Sequence, residues 1–223
     1  MERHFEKELE ELKANLIRMG SLVDDQVEAS CRALFGGDVD LAAMVINGDS
    51  DINEMDMQIE KQCQRIFALN QPVAVDLRLL IASLKINRDL ERMGDIAINL
   101  AERTAALAQY NDFLRSTRLE EMSSIARIMV RESLDAFTNN YPPLATRVLE
   151  SDDVVDTLNR NIFYRMVRSM QIDHALIEPA SHILILSRHI ERLADHATNI
   201  AEDVIFLVEA KVVKHHALNS HRP

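Results

Sequence analysis

Two carboxylates one helical turn apart, with an amide one turn further on, make a row of oxygen donors. The chain carries such a row twice: Glu91, Asp95 and Asn99, then Glu191, Asp195 and Asn199. Residues four apart stack on one face of a helix. Arg88 and Glu102 join the first strip, and Arg188 and Glu202 the second. An oxygen-rich row suits Mg²⁺, Mn²⁺, Ca²⁺ or iron better than zinc, which prefers cysteine and histidine. The same spacing also describes a solvated strip in which Arg88 and Arg92 pair with Glu91 and Asp95. Exposed pairs of that kind contribute about 0.3–0.5 kcal/mol each and are common on long helices.

Spacing alone favours the solvated strip; recurrence strengthens the metal reading. Residues 91–102 read Glu-Arg-Met-Gly-Asp-Ile-Ala-Ile-Asn-Leu-Ala-Glu, and residues 191–202 read Glu-Arg-Leu-Ala-Asp-His-Ala-Thr-Asn-Ile-Ala-Glu. Arg88 has its mate at Arg188. Upstream, Asp49, Asn53 and Asp56 echo Asp152, Asp156 and Asn159 at a slightly longer offset. These residues flank an apolar stripe, so Asp49, Asp56, Asp152 and Asp156 are secondary ligand candidates. Capping or turn roles near Gly48 explain the first group equally well. Self-similarity of this kind points to duplication of a three-helix unit.

The elements that position the rows follow from apolar periodicity. Leu9, Leu12, Leu16, Met19, Val23, Val27 and Leu34 predict a helix from about Phe5 to Phe35, ended by Gly36-Gly37. A second helix carries Leu41, Val45, Ile52, Met55, Ile59, Cys63 and Ile66, loosened near Gly48. After Gln71-Pro72 a third runs from about Val75 to Tyr110, with a connector at Asn111-Asp112. A fourth carries Leu119, Met122, Ala126, Met129 and Phe137, and Pro142-Pro143 stops it. A fifth bears Val148, Val155, Leu158, Ile162 and Met166, and a sixth starts near Pro179. With Leu90 at zero, the apolar seam spans roughly −80° to 0° and the acidic strip roughly 100° to 180°. The acids are therefore expected to point away from the bundle seam. No run alternates with period two. The expected fold is all-α: two tandem three-helix bundles of six long antiparallel helices, at residues 1–111 and 112–213, with a frayed tail at 214–223.

Composition narrows the function. The net charge is −11, there is no Trp, and no Lys/Arg run occurs, which argues against nucleic-acid binding. No stretch approaches a membrane span and no apolar leader opens the chain, so a cytoplasmic protein is expected. Cys31 and Cys63 sit on apolar stripes and are expected to be reduced core thiols. A di-metal oxidase would need Glu-x-x-His pairs, and no histidine has glutamate three positions before it, so catalysis is not expected. His189 and His196 flank only the second motif; their coordination is open.

The segment Gln71-Pro72-Val73-Ala74-Val75-Asp76-Leu77-Arg78, the two Glu-Arg-x-Gly/Ala-Asp motifs and the Met19-Gly20 pair resemble the PhoU family over nearly the whole chain. The resemblance implies a commonly dimeric negative regulator of phosphate-starvation signalling that modulates high-affinity phosphate uptake. It implies as partners a sensor histidine kinase and the ATPase subunit of the phosphate transporter. It also implies that, as in some members of the family, multinuclear iron or zinc clusters or single Mg²⁺ or Mn²⁺ ions are held through the acidic motifs, here Glu91, Asp95, Glu191 and Asp195. Gln71, Pro72, Asp76 and Arg78 become candidates for partner contact. A purely structural helical bundle is the reading that composition alone also allows.

Overall fold

The computed structural model describes residues 2–48 and 50–214. Nine α-helices and two short 3₁₀ turns make up the described residues, with no strand among them. Six long helices form two three-helix units: α1 (Glu2–Gly36), α3 (Ser50–Asn70) and α4 (Ala74–Ala101), then α7 (Leu119–Asn139), α8 (Pro142–Ile172) and α9 (Ile177–Glu209). Short helices α2 (Val39–Asn47), α5 (Thr104–Leu107) and α6 (Asn111–Arg115) fill the connections. Within each unit the three long helices pack on one another; α4 packs on α9 and α1 on α7 to join the units.

The apolar stripes predicted from spacing are the buried ones. Leu12, Met19, Val23, Val27, Ile59, Ile86, Leu90, Leu100, Met122, Val155, Ile183 and Leu193 are essentially inaccessible and belong to one core running through both units. Each such side chain contributes about 1.5–3 kcal/mol by leaving water. Cys31 and Cys63 are buried free thiols. Burial pushes Cys31 up to about 11 and Cys63 up to about 12, so both stay protonated packing groups.

Three local expectations are corrected. The single second helix is two, because Gly48 caps α2 through its N–H to the Met44 and Val45 carbonyls. At the matching place in the other unit α8 runs on unbroken through Ser151 and Asp152. The third helix stops at Ala101 rather than Tyr110, and Asn111-Asp112 opens α6 instead of serving as a bare connector. Pro142-Pro143 does not end α7. Asn140, in the left-handed region at φ 49°, does that, and the prolines open α8 where their missing N–H costs nothing. Gly37, at φ 68°, closes α1 while the Asp38 N–H bonds back to the Ala33 carbonyl 2.9 Å away.

Candidate functional site

Both acidic rows lie on the third long helix of their unit, at the groove with the second long helix. Most of their members are part-buried rather than fully in solvent. Glu91, Asp95 and Asn99 on α4 are half-buried, as are Glu191 and Asp195 on α9, whereas Asn199 is exposed. The outward orientation expected from the helical wheel is thus corrected: the seam that closes the unit is flanked by a neighbouring helix, and the acids sit at that flank. The two grooves are then furnished differently.

Between α8 and α9 a cleft of about 420 Å³ is lined by Asp152 and Asp156 from one helix and Glu191, Asp195 and Glu202 from the other, with Thr198 and Asn199. Among the described residues two cations share it. Arg188 pairs with Glu191, and the Lys214 Nζ lies 3.4 Å from Glu202. Five carboxylates thus converge on one concavity. The Asn199 side-chain N–H₂ is turned to Asp89 of α4, 3.2 Å away. Every second-half candidate therefore lines one cleft.

Between α3 and α4 a cleft of about 380 Å³ gathers Asp56, Glu60 and Glu91 with Arg88, Arg92 and Asn87. Asp95 and Asn99 do not line it. Arg92 spans Glu91 at 3.3 Å and Asp95 at 2.9 Å, the pairing that the solvated-strip reading describes. The Asn99 side-chain N–H₂ donates to the Asp95 backbone carbonyl at 2.7 Å. Asn87, buried, donates to Asp56 Oδ1 at 2.5 Å. Burial and the neighbouring Glu60 still hold the Asp56 carboxyl above its ordinary range, against the pull of Asn87, Arg88 and Arg92. Asp49 lies outside the described residues. Its upstream partner Asn53 stands where the other unit has Asp156.

The donor sets are all oxygen, which fits a hard divalent cation. Among the described residues no three His, Cys, Asp or Glu side chains are yet gathered on one point. His189 and His196 line neither cleft. His196 Nδ1 is hydrogen-bonded to Asp89 at 2.7 Å, and burial with Arg103 and Arg192 nearby holds His189 below its usual range.

Sequence reasoning missed Glu60, Asn87 and Lys214. Glu60 and Asn87 have Phe163 and Ser187 at their repeat positions, so self-similarity carries no trace of them. Lys214 lies past the last helix, where periodicity gives no signal.

The Gln71–Arg78 segment stands apart from both clefts. Gln71 and Ala74 hold the left-handed region at φ 46° and 48°, a conformation that non-glycine residues adopt at a cost. Gln71 is exposed, while Pro72, Asp76 and Arg78 are half-buried. Leu69, Val73 and Val75 beside them are each more than half exposed. This is an apolar patch on a strained turn.

The family model described as "PhoU domain" matches residues 16–104 and 119–204, one match per unit. The chain belongs to the PhoU family. It is 41% identical over 209 residues to a phosphate-specific transport system accessory protein PhoU homolog of Aquifex aeolicus, covering 94% of this chain and 95% of that one. A homolog of the same description from Pseudomonas aeruginosa is 38% identical, covering 96% and 88%. The crystal structure of PhoU from Pseudomonas aeruginosa matches with TM-score 0.87 at 37% identity, over 93% of this chain and all of that one. The phosphate transport system regulatory protein PhoU from Streptococcus pneumoniae matches with TM-score 0.83 at 26% identity, over 94% and 99%. The all-α fold of two tandem three-helix bundles is the PhoU fold. No helix among the described residues is long and apolar enough to cross a membrane.

Proposed function

We propose that this protein is an accessory regulator of phosphate transport: it restrains the phosphate-starvation response and modulates uptake as a cytoplasmic adaptor between a sensor histidine kinase and the ATPase subunit of the transporter. It does so as a homodimer and without catalysing a reaction. The reading rests on the family match across both units, with relatives whose names place them in the phosphate-specific transport system. The strained Gln71-Pro72 turn, with Asp76 and Arg78 and the exposed Leu69, Val73 and Val75 around it, supplies a surface for a partner.

A divalent or multinuclear metal (Mg²⁺, Mn²⁺, iron or zinc) belongs to this reading. Asp152, Asp156, Glu191, Asp195 and Glu202 would hold it in the α8–α9 cleft, with Asp56, Glu60 and Glu91 a weaker set in the α3–α4 cleft. Such an ion would replace cations now supplied by side chains and stiffen the groove between helices.

The test is a pull-down from cells grown in high and low phosphate, with elemental analysis of the recovered protein. Kinase and transporter ATPase should co-purify when phosphate is plentiful. The variant with Asp152→Asn, Asp156→Asn, Glu191→Gln and Asp195→Asn should lose most of its metal while keeping its helical circular dichroism. Unchanged metal content defeats the metal assignment. Recovery of neither partner under either condition defeats the adaptor.

A further inference from the structure

A second concavity lies between α8 and α9, about 530 Å³, on the other side of Arg188 from the acidic cleft. It is the repeat counterpart of most of the first unit's acidic cleft: Asp56 becomes Asn159, Glu60 becomes Phe163, and Arg88 and Arg92 become Arg188 and Arg192. Two of the three acids have gone, the third, Glu191, lines the acidic cleft and pairs with Arg188, and both arginines have stayed. In the first unit Arg92 is neutralised by Glu91 and Asp95. Among the described residues no carboxylate lies within ion-pair distance of Arg192. Arg160, at the same rim, donates to the Thr157 hydroxyl at 3.2 Å and has no ion pair among the described residues. What sets this rim apart is that two arginines without an acidic partner among the described residues lie together beside exposed aromatics.

Between them the floor is apolar, and two aromatics stand open to solvent. Phe163 is 50% and Tyr164 71% exposed, packed edge to face with ring centres 5.7 Å apart. Exposed aromatics beside arginine are the composition of an interface anchor. The arginine fork recognises carboxylates in pairs of bonds.

The geometry points to this groove as the docking site for an acidic segment of a partner protein, one that places an apolar side chain against Phe163 and Tyr164 and carboxylates on Arg160 and Arg192. Charge complementarity selects that occupant. A small inorganic anion would use the guanidinium groups and leave the aromatics uncovered. A flat anionic surface, membrane or nucleic acid, would also meet the carboxylates of the adjoining cleft, which shares Arg188, and the field of a chain of net charge −11. A single segment lying in the groove meets only the cationic stretch. For the existence of a protein partner the proposal rests on the adaptor reading; the metal plays no part in it.

The probe is a fluorescein-labelled helical peptide with Phe and Leu one turn apart among glutamates, titrated against the full chain by anisotropy at low and high salt. Saturable, salt-weakened binding is expected, reduced at least about tenfold by Arg160→Glu with Arg192→Glu, and similarly by Phe163→Ser with Tyr164→Ser. Undiminished binding in either double variant, absence of saturation, or equal binding of a lysine-for-glutamate peptide overturns the proposal. So does displacement by inorganic phosphate in the aromatic double variant, which marks a bare anion site. Uptake on phosphatidylglycerol vesicles that the arginine variant abolishes marks a lipid surface instead. A lower sedimentation coefficient of the arginine variant marks a contact with a second copy. Both double variants spare the acidic cleft, so metal titration separates the two readings. Normal metal uptake without peptide binding sinks only the docking site. Peptide binding without metal uptake sinks only the metal.

Discussion

The two halves of this protein share a scaffold and differ in what they hang on it. Ile52, Met55, Ile59 and Cys63 of α3 are buried, and so are Val155, Leu158, Ile162 and Met166 at their counterparts on α8. Leu90, Met93, Ala97 and Leu100 are buried, as are Ile190, Leu193, Ala197 and Ile200. Beside those positions the chemistry diverges: five carboxylates gather in one α8–α9 cleft, whereas three face Arg88 and Arg92 between α3 and α4. Packing constrains the buried residues jointly, because each fills space left by its neighbours. Residues at the groove answer to solvent and to one another, so a duplicated unit keeps its core and remodels its clefts.

The sharpest break in the symmetry lies where α4 crosses α9. Asp89 accepts from the Asn199 amide at 3.2 Å and is bonded to His196 at 2.7 Å, with both members of the histidine pair mostly buried. The mirror positions are His189, Asn99 and Ile96. There the His189 Nδ1 has no partner, and Asn99 turns to its own helix instead. Asp89→Ala should therefore destabilise by about 1–3 kcal/mol, the cost of leaving buried polar groups unmet, whereas His189→Ala should cost under about 1 kcal/mol. Urea unfolding of the two variants decides it. Equal losses would mean that the crossing is symmetric in energy if not in sequence.

A pH profile tests a second mismatch along the same crossing. Asp203 is buried beside Lys85 of α4, 2.6 Å away, while its counterpart Arg103 donates to His182 at 3.4 Å. Burial raises the Asp203 carboxyl from 3.8 to about 6, with Asp89 and Glu202 adding to the rise and Lys85 opposing it. A folded-state value above the unfolded one means that the native protein binds the extra proton. The contribution to stability is whole below the unfolded value and is lost as pH rises through about 6. Roughly 3 kcal/mol is expected to go over that window. Asp203→Asn should flatten the fall, measured as unfolding free energy from pH 4 upward. A variant curve parallel to the wild type would show that Asp203 is not the source.

The scaffold was legible in the sequence because its signal is periodic and doubled. Apolar steps of three and four marked the six long helices, and the hundred-residue echo paired them. Gly48 was visible as a weak point, but its effect depends on the cap it makes, which periodicity does not encode. The wheel put the acids opposite the seam correctly as an angle and wrongly as an environment, since a single helix says nothing about which neighbour covers its flank. Glu60 and Lys214 were out of reach for a related reason: each joins a cleft only through the fold. Arg192 is the twin of Arg92 in sequence, yet among the described residues only Arg92 has acidic partners.

The smallest difference between the halves is one of volume, and it is also the easiest to exchange. A Cβ on Gly94 would come within 3.3 Å of Ile52 Cδ1 and 3.4 Å of Gln26 Oε1. In the second unit Ala194 is buried at the counterpart of Gly94, and Val155 stands at that of Ile52. One half has the larger side chain on its second long helix and glycine on its third; the other has given up a methylene from the first and added a methyl to the second. Gly94→Ala alone gains about 1 kcal/mol in helix propensity and spends a similar amount on crowding, so it should be nearly neutral. Ile52→Val alone opens space and should cost about 0.5–1.5 kcal/mol. Together they reproduce the second unit's arrangement, and the methyl fills the vacated space. The double variant should exceed the sum of the two by about 0.5–1 kcal/mol in a double-mutant cycle by urea unfolding. Strict additivity would show that the two positions do not sense each other, and that the exchange between the halves is coincidence rather than compensation.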